Sequence, residues 1–180
     1  MKAILTLSCV MVVASAPPAF AQRAIADPLA RYAENTFRNL TESAEKMPEA
    51  DYSFQATKDT RTFAGFVGHT INSAFNSCSR VKGEPNPNKE DLEKVTSKAR
   101  LVEAAKAVQT YCNAVFAAQT DASLAETIPQ GQNQVPKAQV LIGLIGHNMN
   151  EYGQKVILLR LKGIVPPTTE RATQKKPGQD

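Results

Sequence analysis

An all-α bundle of four long helices is the fold this sequence predicts, and three observations predict it. No segment alternates apolar and polar residues with period two for long enough to read as a strand. Four long stretches instead repeat apolar residues at three- and four-residue spacing. Connections rich in Pro, Gly and Asn separate those stretches. With 180 residues, 42% of them hydrophobic and 21% charged, the chain makes about one domain with its own core.

The elements follow in order. Residues 1–21 have the layout of a secretory signal peptide: Lys2, an apolar run over residues 4–14, and the small-x-small pattern Ala19-Phe20-Ala21. The run is too short to span a bilayer, and Pro17-Pro18 follows it, so no membrane span remains after cleavage. Cys9 lies inside the run rather than after it and reads as a bystander, not a lipid attachment site. The mature protein is therefore expected to be periplasmic or secreted. Residues 22–167 form the helical domain, and residues 168–180, which lack apolar anchors, are expected to be a disordered tail.

Asp27-Pro28 reads as N-cap and first helical residue of a helix with Leu29, Tyr32, Ala33, Phe37, Leu40 and Ala44 inward, stopped by Pro48. Residues 49–61 read as a structured loop with Tyr52 and Phe54 tucked in. Thr62 caps a second helix to about Lys82, with the stripe Phe63, Val67, Ile71, Ala74, Cys78 and Val81. Residues 91–95 suggest a single helical turn, and a third helix runs from Thr96 or Ser97 to about Gln119. Its inner face is Leu101, Ala105, Val108, Cys112, Val115 and Phe116. Residues 121–126 read as one more turn, and residues 127–135 as loop. From Pro136 the last helix carries Val140, Leu141, Leu144, Ile145, Met149, Tyr152, Val156 and Leu159 on one face, and ends at Gly163.

Composition excludes several function classes. Net charge is only +4, and Lys2 leaves with the leader, so no nucleic-acid partner is expected. Trp is absent and aromatics are 6%, too few for base-stacking surfaces. The mixed charges of residues 89–100 read as a solvated helix face. Export leaves Cys78 and Cys112 in an oxidising compartment, where they either pair or pack as buried thiols; the sequence leaves both open.

The chain has two histidines, His69 and His147. His147 and Glu151 stand one turn apart at the edge of the last helix's buried stripe, close enough to converge on one point. A carboxylate there needs a cation, a basic partner or a proton. His69 lies on a strip with Gly65, Asn72, Ser73 and Asn76 that faces either a wet cleft or bulk solvent. Gly65 and Gly68 each cost the helix ~1 kcal/mol relative to Ala, so a helix or a ligand should approach them closely. Two readings fit: a two-imidazole, one-carboxylate metal site, or a surface His69 beside a hydrogen-bonded His147–Glu151 pair.

The segments Thr62-Phe63-Ala64-Gly65-Phe66-Val67-Gly68-His69-Thr70 and His147-Asn148-Met149-Asn150-Glu151-Tyr152-Gly153-Gln154 resemble the second and closing helices of the DinB-like superfamily. So do Leu159-Arg160-Leu161-Lys162-Gly163-Ile164-Val165-Pro166-Pro167 and the loop segments Glu45-Lys46-Met47-Pro48-Glu49 and Tyr52-Ser53-Phe54. The likeness runs from about Asp27 to Pro167. It implies an up-down-down-up four-helix bundle with one divalent metal ion at one end. The implied ligands are His69, His147 and Glu151. Glu151 stands where the family usually has a third His, which shifts preference toward harder metals among Zn²⁺, Ni²⁺, Mn²⁺ and Fe²⁺. The activity implied is that of a metal-dependent hydrolase or thiol transferase acting on a small-molecule electrophile. The competing class is a non-catalytic, stress-related binding or interaction protein, as a homodimer, that keeps a relic site.

Overall fold

The structure, a computed structural model, describes residues 23–174; the expected leader with Cys9 and the last six residues lie outside the described residues. It is mostly helical: α1 (Ala26–Lys46), α2 (Phe63–Lys82), α3 (Lys98–Ala117), α4 (Asp121–Ala125), α5 (Lys137–Leu161) and α6 (Pro167–Gln174). Two short 3-10 turns, Glu49–Asp51 and Leu92–Lys94, sit in the connections.

Local chemistry explains most boundaries. The Thr62 hydroxyl accepts from the Gly65 amide and starts α2, and Gly83 ends it at φ 76°, a left-handed value that suits glycine. Ser97 caps α3 by accepting from the Arg100 amide. At α1 the expected cap is wrong. Asp27 lies inside the first turn and pairs with Arg23, while the carboxylate of Asp121 accepts from the amides of Ile25 (3.0 Å) and Ala26 (2.8 Å). A distant carboxylate thus does the work a local side chain was expected to do.

The four long helices form a ring. α1 packs on α3 and α5, α2 packs on α3 and α5, and α1 and α2 lie across the diagonal with little contact. The Lys98 ammonium donates to the carbonyls of Glu45 and Met47, while Arg23 reaches the carbonyl of Gln119, so α3 runs back along α1. After α2 the chain returns to lay Leu92 against Gly68, near the start of α2. α3 therefore runs in the same direction as α2, and the sulfurs of Cys78 and Cys112 join the two helices as a disulfide. The stripes expected on α2 and α3 are buried throughout, with Phe37, Leu40 and Leu141 closing the centre from the other helices.

Three expectations need correction. Residues 127–135 are not plain loop: β1 (Thr127–Gln130) and β2 (Asn133–Pro136) pair antiparallel as a hairpin, with Ile128 opposite Val135. Gly131, at φ 62°, opens its two-residue turn. These strands are short and polar outside that one apolar pair, so no alternation was visible. The second half of α5 buries Asn148, Glu151 and Lys155 instead of Met149, Tyr152 and Val156. Met149 is 58% exposed, and on α1 the expected inward Tyr32 is 65% exposed. Finally, residues 168–174 are helical rather than disordered. Lys46 pairs with Glu170 at 2.9 Å, Arg171 bonds Glu42 and Asn39, and the Tyr152 hydroxyl accepts from the Thr168 amide at 3.1 Å. Polar docking onto α1 orders a segment that has no apolar face to betray it.

Candidate metal centre

Gly68 is where the site begins. A Cβ on it would lie 2.0 Å from the Leu92 carbonyl oxygen, so only glycine lets the Leu92–Lys94 turn press onto α2. Leu92 is fully buried there, and the next residue, Glu93, is delivered to the following residue of α2. Its Oε1 lies 2.6 Å from His69 Nδ1, and Arg61 Nε donates to its Oε2 at 3.2 Å. Glu93 is exposed, as the solvated reading of residues 89–100 has it, yet its carboxylate is engaged by His69 and Arg61. Burial works against its charge, but the bonds from His69 and Arg61 outweigh that and hold its carboxyl below the ordinary glutamate range.

This contact decides the histidine's chemistry. Neutral His69 donates its Nδ1 proton to Glu93, which leaves the Nε2 lone pair facing the interior. There it meets His147: the two Nε2 atoms are 3.1 Å apart, and the rings are 5.1 Å between centroids. Glu151 Oε1 lies 3.9 Å from His147 Nε2. One donor atom from each of His69, His147 and Glu151 lies within 4.8 Å of the others, a set that could hold a metal ion. All three sequence-predicted residues are together, and His69 is half-buried rather than a loose surface residue.

Electrostatics sharpen the picture. Burial, aided by the nearby Lys155 charge, lowers the His147 pKa, although Glu151 pulls the other way. A low pKa keeps the imidazole neutral and available as a ligand at neutral pH. Glu151 is 6% exposed, and its Oε2 is buried with no hydrogen-bond partner. His147 Nδ1 and Asn148 Oδ1 are likewise buried and unpartnered. One turn further along α5, Lys155 is fully buried and donates to the Thr70 hydroxyl at 2.9 Å. Desolvation pushes its pKa down to about 7, against the opposing pull of Glu151.

A divalent ion fits this donor set. The 3.1 and 3.9 Å separations both fall within the ~4.2 Å that two ligands ~2.1 Å from one ion can span. A carboxylate oxygen buried without a donor is also what a cation would satisfy. Glu93, Arg61, Thr70 and Lys155 were missed by sequence reasoning. Gly68 marked only that something must come close to α2 there, not which residue it would be.

Known proteins agree on the fold. The sequence profile of the DinB superfamily matches residues 32–154. A DinB-like protein from Bacillus cereus superposes with a TM-score of 0.68 at 17% identity, covering 78% of this chain and 95% of its own. A DinB-like protein from Bacillus subtilis gives 0.63 at 18% identity, covering 76% and 92%. A conserved protein from Enterococcus faecalis gives 0.64 at 13% identity, covering 76% and 96%. No curated protein matches the sequence. With the profile spanning most of the chain, from α1 to the part of α5 that carries His147 and Glu151, this protein belongs to the DinB superfamily.

Proposed function

We propose that this DinB-superfamily protein is exported and binds one divalent metal ion through His69, His147 and Glu151. The observation that carries this reading is the convergence of the three donor atoms, with Glu93 fixing the His69 tautomer. Bound there, a divalent ion supplies Lewis-acid activation of water or a small thiol. The chain's own residues do the rest. Glu93 orients His69, burial keeps His147 unprotonated, and Lys155 offsets the charge of Glu151. The reaction is hydrolysis of, or thiol transfer to, a small electrophile. With one carboxylate among its ligands the site suits Zn²⁺, Ni²⁺, Mn²⁺ or Fe²⁺.

Threading as an up-down-down-up bundle is supported by the ring order and by the shared direction of α2 and α3. Cleavage of residues 1–21 and delivery to the periplasm or medium are supported by the disulfide, since such bonds persist in oxidising compartments. A homodimer is supported by Ile142 and Met149, exposed along one side of α5.

The second reading is a non-catalytic binding protein with a relic site. It is favoured by the Nε2–Nε2 contact, because two imidazoles can satisfy each other without an ion. Elemental analysis of protein recovered from the exported fraction decides between them. One equivalent of metal in the wild type and none in His147→Ala is the expected result. Metal-free wild type, or an unchanged content in the variant, rejects the site.

A further inference from the structure

Beside the histidine pair, α2 and α5 open a cleft of about 530 Å³, within the size range of small-molecule sites. His147 stands at one end and Arg80 at the other, with Ser73, Asn76 and Gln139 along the walls. On α2, His69 and Arg80 are separated by about 16 Å of helix at 1.5 Å per residue. Among the described residues, Arg80 makes no ion pair or side-chain hydrogen bond, and no carboxylate lines the cleft. An unopposed guanidinium at the far end of a polar groove is a receptor for a carboxylate or a similar anion.

The α5 wall carries a glycine between the two ends. Gly143 is an interior residue of α5, where glycine costs about 1 kcal/mol relative to alanine. Unlike Gly68, it has no protein atom within 4 Å of where its Cβ would be. Like Gly146 and Gly153 on the same helix it faces open space, and it lines the cleft between the histidine and the arginine, where a large side chain would occupy the groove.

We infer that this cleft binds the substrate of the metal site: an elongated small molecule with its reactive group at the histidine pair and an anionic group on Arg80. The inference rests on the metal reading above and adds the class of molecule. Short monoanions cannot span the two ends, and the hydroxyl and amide walls suit a polar linker between them.

The test uses full-length mature protein: wild type, Arg80→Gln and Gly143→Phe, each loaded with Zn²⁺ and its metal content measured first. Each is then titrated calorimetrically with succinate, suberate and octanoate. Suberate should bind wild type about tenfold more tightly than octanoate or succinate, the effect of one charge-assisted contact. That advantage should vanish in Arg80→Gln, and Gly143→Phe should lose suberate, with one equivalent of zinc retained in both. Equal affinities for suberate and octanoate in wild type overturn the assignment, as does an advantage that survives Arg80→Gln or normal suberate binding by Gly143→Phe. A wild type that takes up no zinc fails at the first step, before any acid is added, and removes the metal reading together with this one.

Discussion

Helix α2 has two seams of opposite character. Toward α3 it presents Ala74 and Cys78, both fully buried, and a disulfide joins the helices. Toward α5 it presents His69 and Thr70, which meet His147 and Lys155. The first seam gains stability from apolar burial and from a cross-link. The second buries a lysine and a glutamate, groups that are expensive to desolvate and that hydrophobic residues of the same volume would replace at no loss. One helix thus separates the apolar packing of the fold from the cluster that could hold a metal ion. A seam that gives up stability in this way is the place to look for function.

Breaking the apolar seam should have the largest effect. Replacing both Cys78 and Cys112 with Ala should lower unfolding free energy by about 3–4 kcal/mol, from the 34-residue separation of the bridge, while metal content stays unchanged. Urea unfolding with elemental analysis of the same samples checks both halves. Loss of metal in this variant would mean the seams are not independent.

The polar seam should show itself through pH. The Lys155 pKa is depressed from 10.5 to about 7, so between those values the unfolded chain binds more protons than the native one. Stability of the chelated, metal-free protein should therefore rise as pH increases from about 7 toward 10.5, by a few kcal/mol. In Lys155→Met that rise should be absent. Equal slopes for the two proteins would show that the ammonium is not desolvated in the folded state.

Smaller effects sharpen the boundary of the site. Glu93→Gln should weaken metal binding about 10- to 100-fold, as loss of an orienting carboxylate does, with unfolding free energy nearly unchanged because Glu93 is exposed. Competition with a chromogenic chelator measures the first quantity and urea unfolding the second. Smallest of all, Arg171→Ala should cost under about 1 kcal/mol, and hydrogen exchange should show faster opening confined to α6.

The apolar seam was fully legible in the sequence. Phe63 through Val81 and Leu101 through Phe116 follow a helical period, and period is what burial writes into a chain. The polar seam was half legible. His147 and Glu151 stood out by spacing, yet apolarity favoured burying Met149 and Tyr152 in place of Asn148 and Lys155. Partner chemistry decided that rotation: Thr70 on α2 receives the lysine, and Thr36 on α1 receives the Asn148 amide. Glu93 was invisible for a different reason. Its meeting with His69 depends on a backbone-to-backbone approach at Gly68, and a one-dimensional pattern carries no trace of such contacts. Residues 168–174 misled as well, since ion pairs order them where apolar residues usually would.

The Asp121 clasp on the start of α1 carries a consequence for how the chain matures. α1 is the first of the described helices to be synthesised, but the acceptor for its leading amides arrives only after α2 and α3 have been made. Closing a contact across 95 residues is entropically slow, so the amino-terminal turn should be the last part of the molecule to set. A nascent chain would present that turn frayed, giving proteases a window that shuts when the bundle is complete.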